Sequence, residues 1–413
     1  MVVAPGYYFG SINFQGKNIT VMSSDGAAVT TVDSGSQPAA QFNNAENNGA
    51  VQHGFTFVNG SGIQIFAASP IIEDNVITGN QNCQAGGIYL LNSSAIVRSN
   101  TISNNIQTCP GGATAGGIAV DGAGSVQILN NIITGNQTAP GGGIFTDAVG
   151  TTTITNNKIQ NNVTDAAGGG IYSDGTLVII AGNLITENSA SMGGGIQIVP
   201  GSSAMVVNNT VALNKAQQGT QLQLDGSAGQ VHLFNNIFYD VTGTGAILCS
   251  MTGSTGFPVA LNNDAFSFNL AHSDTLPNAY VGSCSDQTGS NGNVQVDPHF
   301  VDSANRDFHL SSTSPLIDTG NNFALDVPAQ DLDGNPRIAA GSAACLPFID
   351  IGAYELVFNS VGSASLAPSS LNFGFANIGI QSFSTQPVTL TGTGGCALSP
   401  RLANSEALPV QGG

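Results

Sequence analysis

Apolar residues in this chain come in short alternating runs, and the runs recur. The clearest is Gly168-Gly169-Gly170-Ile171-Tyr172-Ser173-Asp174-Gly175. Versions of it open with Gly86-Gly87-Ile88, Gly116-Gly117-Ile118, Gly141-Gly142-Gly143-Ile144 and Gly193-Gly194-Gly195-Ile196, and fade into Leu222-Gln223-Leu224-Asp225-Gly226. The markers Ile88, Ile118, Ile144, Ile171, Ile196 and Leu222 are 25 to 30 residues apart. A repeat of this size decides the architecture before anything else does. A second signature follows each run, as in Asn131-Ile132-Ile133-Thr134-Gly135-Asn136. Aligned, it yields one column of Asn75, Asn100, Asn131, Asn157, Asn183, Asn209 and Asn236. A second column holds Asn80, Asn105, Asn136, Asn162, Asn188 and Asn214.

Each repeat is too short for a strand–helix–strand unit, yet it has two or three short alternating strands. Such strands stack in parallel on those of the next turn, about 4.8 Å away. Asparagine tolerates the left-handed conformation of a tight corner, which places the Asn columns at the bends. A column of inward amides donates to one neighbour and accepts from the other, so it satisfies itself in a dry interior. Gly and β-branched residues dominate throughout and leave helices almost no support. The repeats predict an all-β chain, a single-stranded parallel β-helix.

The opening stretch, Val3-Ala4-Pro5-Gly6-Tyr7-Tyr8 followed by Ile12-Asn13-Phe14-Gln15-Gly16-Lys17-Asn18-Ile19-Thr20-Val21-Met22, resembles the first coils of pectin-lyase-like right-handed β-helices. That resemblance implies the right-handed form and further sequence, including a capping helix, before this point. The Gly-Gly-Gly-Ile and Ile-Thr-x-Asn repeats are similar in fold pattern to those of polymorphic outer-membrane adhesins. Between Val294 and Glu355 runs a different unit, with Asp297-Pro298-His299-Phe300, Asp331-Leu332-Asp333-Gly334-Asn335-Pro336-Arg337 and Asp350-Ile351-Gly352-Ala353-Tyr354-Glu355. It resembles the C-terminal segment of bacterial surface β-helix proteins of the choice-of-anchor Q type, and is expected to cap the open end where strand edges would invite aggregation. Beyond it, Ser370-Leu371-Asn372-Phe373-Gly374 and Pro387-Val388-Thr389-Leu390-Thr391-Gly392 resemble the start of an ASPM–SPD-2–Hydin-type immunoglobulin-like module. The expected divisions are N-terminal coils over 1–60, taken as truncated, helix repeats over 61–270, an irregular insert and cap over 271–357, and a partial immunoglobulin-like sandwich over 358–413.

Composition sharpens the function classes. Only 8% of the 413 residues are charged, and 25 acidic against 7 basic residues give a net charge of −18. Nucleic acid is disfavoured, because its binding needs Lys and Arg to displace counterions. No run is apolar enough to span a bilayer, and the start lacks the pattern of a signal peptide. The polar, Lys-poor composition with six cysteines nonetheless points to a secreted or bacterial cell-surface protein. Cys83 and Cys109 occupy corresponding places in neighbouring repeats, and Cys249 and Cys284 bracket an irregular stretch. Either pair would make a disulfide, with buried free thiols as the alternative. A monomer is expected.

Candidate chemistry lies on the Gly-Gly-Ile strands. One residue after each marker, pointing outward if Ile points in, are Tyr89, Ala119, Phe145, Tyr172, Gln197 and Gln223. Three residues after it stand Asp121, Asp147 and Asp174 in successive repeats. The bland reading is that Asp-Gly makes ordinary turns. The functional reading is a groove in which Tyr89, Phe145, Tyr172, Gln197 and Gln223 meet a sugar chain while the acids bond hydroxyls, act catalytically, or hold calcium through Asp147 and Asp174. Enzymes of the pectin-lyase-like fold use a Lys or Arg base or an adjacent Asp-Asp pair. No Lys or Arg falls in these columns, and no Asp-Asp pair occurs. Asp297-Pro298-His299 matches an alginate-epimerase motif but sits in the C-terminal unit, and His53, His232, His272 and His309 have no partner at metal-ligand spacing. The leading expectation is a non-catalytic carbohydrate-binding or adhesion module for a polysaccharide or surface glycan. A polysaccharide lyase or glycoside hydrolase working through the acids is the alternative.

Overall fold

The computed structural model describes residues 1–109, 115–138, 141–225, 231–241, 245–250, 265–267, 270–273, 279–283, 285–341, 347–357, 363–367 and 389–393. Three parallel sheets of eleven described strands each run the length of the repeats. Sheet 1 begins with Val2–Val3, sheet 2 with Gly6–Phe9 and sheet 3 with Ile12–Asn13, and the chain visits them in turn at every coil. A short fourth sheet joins Gln81–Asn82, Ile106–Gln107, Gln137–Thr138 and Val163–Thr164. The marker residues pair in register from coil to coil, Ile88 on Ile118, Ile118 on Ile144, Ile144 on Ile171 and Ile171 on Ile196. All of them are buried in one continuous core, because one face of every strand turns into the tube.

The asparagines make two continuous ladders between sheets. Asn131 Nδ2 donates to Asn157 Oδ1 at 3.0 Å and to Val97 O at 2.9 Å, and Asn157 repeats the pattern on Asn183 Oδ1 at 3.0 Å and Ile128 O at 2.8 Å. The backbone N–H of each Asn also donates to the next amide oxygen, as Asn131 does to Asn157 at 2.8 Å. Each ladder is thus a chain of mutually satisfied, fully buried groups. The left-handed residue is not the ladder asparagine itself, as the sequence suggests, but the one before it. Asn130, Asn156 and Asn208 hold that conformation, with φ of 56°, 54° and 53°. The corner residue turns the chain, and the turn aims the following Asn inward. The second ladder ends on an unpredicted partner, Gln221, whose Oε1 accepts from Asn214 Nδ2 at 2.8 Å.

The glycines before each marker have a steric cause. A Cβ on Gly170 would lie 2.6 Å from Gly195 O and 2.8 Å from Ile185 Cγ2, so the corner from the short fourth sheet into sheet 3 closes only without side chains.

Residues 294–356 are joined to the tube by two contacts of different kinds. Val294 bridges Leu270, extending sheet 2 at its last described strand. The rest of this unit lies along the flank at the corner of sheets 1 and 2, over earlier coils. Phe308, Ala353 and Tyr354 pack on Leu184 and Ala212, and Leu310, Leu316 and Ile351 on Ile237 and Leu270. Buried Arg337 donates to Glu355 at 2.9 Å, Gly352 O at 2.9 Å and Asn208 O at 3.1 Å. Of the last expected unit only an antiparallel pair is described, Ser363–Ala367 with Thr389–Thr393. The remainder of the immunoglobulin-like resemblance lies outside the described residues. No helix among the described residues is long and apolar enough to cross a membrane.

Candidate functional site: an acid row and a neutral groove

The strand register of sheet 3 sets the outward columns side by side. Tyr89 pairs with Ala119, Ala119 with Phe145, Phe145 with Tyr172, Tyr172 with Gln197, and Gln197 with Gln223. Phe145 and Tyr172 stack at 5.4 Å with planes 9° apart, while Tyr89 meets Phe66 edge-on at 5.7 Å. These rings form a small apolar cluster with Ala85, Ala115 and Ala119, separate from the main core. Phe145 is only 2% exposed and Tyr89 7% exposed, so neither ring offers an open face for a sugar. Gln197 and Gln223 are buried as well, which leaves half-buried Tyr172 as the accessible member of the column.

Asp121 and Asp147 stand directly opposite one another on adjacent strands. Asp174 falls just past the end of its strand, its N–H donating to Thr146 O at 2.8 Å, and is exposed. Burial, then repulsion from Asp174 and Asp121, raises the Asp147 carboxyl above its ordinary value, and partial burial raises that of Asp174. Asp121 accepts a 3.3 Å bond from the Tyr89 hydroxyl, whose pKa burial and that carboxylate push up to about 12. Tyr172 is raised by burial and by Asp174, Asp225 and Asp147, so its hydroxyl lies in the field of three carboxylates.

Asp225 belongs to the offset column read from the sequence but is not among the candidate site residues named there. It is buried, and it accepts from Gln197, from Gln223 Nε2 at 2.7 Å and from Ser250. Both glutamines keep a buried amide oxygen without a hydrogen-bond partner. The same three-residue offset from the marker that picked out Asp121 and Asp147 also picks out Asp225. Carboxylates of this row are the groups suited to a hard cation such as calcium, which takes oxygen ligands.

Beside these columns runs a groove of another character. Two hollows of about 520 and 350 Å³ share Thr108 and follow the short fourth sheet. Ser36, Asn59, Gln81, Gln107, Gln137, Thr138 and Thr164 line them, and Asp165 is the one charged lining residue. Cys83 and Cys109 are disulfide-bonded across successive coils at the edge of this sheet. Cys249 is also disulfide-bonded, and Cys284 lies outside the described residues.

The remaining sequence candidates separate cleanly. Asp297 accepts from the His299 N–H at 2.8 Å, so the Asp-Pro-His motif is a local turn. Asp331 accepts from Asp333 N, Asn335 N and Glu355 N at 2.7–2.9 Å, which makes the C-terminal motif an internal clamp of its own unit. His309 lies between Asp307 and Asp333; burial lowers its imidazole pKa, but the bonds to Asp333 and Asp307 outweigh this and hold it above the ordinary value. His53 also gains carboxylate partners, Glu73 and Asp74, from the next coil. Separation in sequence hid Glu73, Asp74 and Asp333, whereas Asp307 stands only two residues before His309. The His232 ring stacks on Phe234, and the His272 side chain is outside the described residues.

The parallel coils, the triangular succession of sheets and the inward ladders define a class, the β-helix solenoids. The chain belongs to the right-handed β-helix family, whose description, Right handed beta helix region, matches residues 7–176 and 87–264. Among solved structures, pectate lyase Pel9A aligns with 86% of this chain and 87% of its own at 15% identity and a TM-score of 0.46. No curated protein sequence matches this chain.

Proposed function

We propose that this β-helix is a non-catalytic binding module for neutral polysaccharide or surface glycan, displayed outside the cell. The observation that carries it is the groove along the short fourth sheet. The polar part of its wall is amides and hydroxyls, set beside Ile106, Val163 and Cys109, and these polar groups match a sugar's hydroxyls in both directions of donation. Its near-neutral lining favours an uncharged polymer on a protein of net charge −18, which repels polyanions. The coil-to-coil disulfide Cys83–Cys109 accords with an oxidising compartment.

A second reading rests on the acid row. Carboxylates with raised pKa values, as at Asp147 and Asp174, are the usual equipment of general acids, and these two with Asp121 and calcium would then act on a glycan as a lyase or hydrolase. Among the described residues no Lys or Arg stands in these columns to serve as the base, which is why binding is the leading reading.

A glycan panel incubated with the protein, with and without Ca²⁺, separates the two. Retention without new reducing or unsaturated ends, weakened at least about tenfold in Gln107→Ala/Gln137→Ala, is the expected result. Products that vanish in Asp147→Asn would overturn it in favour of the enzyme. Absence of both retention and products would rule out either reading for the glycans tested.

A further inference from the structure

We propose a divalent transition-metal site at His53, Glu73 and Asp74, on the corner of sheets 1 and 2 and apart from the acid row. His53 lies on the strand Val51–His53 and Glu73 directly beside it on Ile71–Glu73, a pairing set by strand register. Asp74 follows in the left-handed corner conformation, with φ of 56°. One imidazole nitrogen and one oxygen from each carboxylate lie within 4.8 Å of one another.

The distances are those of a ligand set. His53 Nδ1 is 3.2 Å from Asp74 Oδ2 and 3.5 Å from Glu73 Oε1. Donors held 2.0–2.2 Å from a tetrahedral ion lie roughly 3.3–3.6 Å apart. Yet His53 Nδ1, buried from solvent, makes no hydrogen bond to either carboxylate. Nδ1 thus stands within 3.5 Å of two carboxylate oxygens with no hydrogen bond to satisfy it, and with the ring protonated at Nε2 a cation would satisfy all three groups at once.

The neighbours fit the same role. Arg98 on the following coil holds Glu73 Oε2 through Nε at 2.8 Å and Nη2 at 2.5 Å, leaving Oε1 to face His53. Such outer contacts orient ligating carboxylates in metal sites. The Asp74 side chain is 54% exposed, which keeps a path from solvent and room for water as a further ligand. An imidazole beside two carboxylates suits Zn²⁺, Co²⁺ or Ni²⁺ better than Ca²⁺, which prefers oxygen throughout.

The test uses the untagged full chain, stripped with chelator and titrated with Co²⁺ and Zn²⁺ by calorimetry and visible absorption. One Co²⁺ per chain is expected, with a d–d band that Zn²⁺ displaces and excess Ca²⁺ does not. His53→Ala and Asp74→Asn should each weaken it at least about tenfold. Asparagine suits the corner conformation at 74, so that variant keeps the fold even if His53→Ala does not. Asp147→Asn/Asp174→Asn should leave Co²⁺ uptake unchanged, which separates this site from the acid row. No uptake at millimolar Co²⁺, or uptake indifferent to both substitutions at the site, would overturn the proposal. Uptake lost only in the row variant would overturn it too.

Discussion

The asparagine ladder inside the corner and the acid row outside sheet 3 are built on the same strand pitch, about 4.8 Å. In the ladder, Asn157 accepts from Asn131 and donates to Asn183, and every repetition adds satisfied bonds. In the row, Asp121 faces Asp147 with no donor between them, and repetition adds repulsion. A primary amide is both donor and acceptor, so stacking it is self-complementary; an ionised carboxylate only accepts. Periodicity therefore stabilises one column and strains the other. That is why the row is where a cation, a proton or a ligand would have most effect.

The largest expected effect comes from carrying the row's chemistry into the ladder. Asn157→Asp turns donors aimed at Ile128 O and Asn183 Oδ1 into a buried charge. It should cost about 3 kcal/mol or more, read as a fall in the urea midpoint. A loss below about 1 kcal/mol would mean the ladder is not what holds the corner.

The reverse exchange is smaller and opposite in sign. Asp147→Asn/Asp174→Asn removes like charges from the row and should stabilise the chain at pH 7 by roughly 0.2–1 kcal/mol, on the scale of cross-strand pairs. Urea denaturation again decides, and destabilisation would show that these carboxylates hold a structural partner.

The smallest effect is a pH dependence of that difference. Both carboxyls have raised pKa values in the folded chain, so the folded state binds their protons more tightly than the unfolded state does. Their contribution is least favourable above the raised pKa, improves as pH falls through it, and levels off below the unfolded value of about 3.9. The midpoint gap between wild type and the double variant should therefore narrow from pH 7 to pH 4. A gap that widens would reverse the assignment of strain to the row.

Legibility in the sequence followed periodicity. The coils, the in-register isoleucines and the two Asn columns were readable because each coil contacts only its neighbours, so one alignment of repeats predicts the contacts. The corner residue was misplaced by one position, since the left-handed turn falls on Asn130 or Asn156 and not on the Asn that comes next. Alternation showed that Tyr89 and Phe145 face away from the core; it carried no information on what covers them. His53 and Glu73 are 20 residues apart, in a part of the chain where the Gly-Gly-Ile signature has not yet begun, and no metal-ligand spacing announces them.

The sequence by itself determined that this protein is a stack of parallel coils with amide ladders at its corners. Short-range alternation and one repeated contact are enough to specify that. Tertiary structure alone decided that Asp225 is buried under Gln197, Gln223 and Ser250, and that residues 294–356 lie along the flank. It alone brought His53 to two carboxylates. Those contacts occur once, between segments that share no repeat, so only packing in three dimensions brings them together.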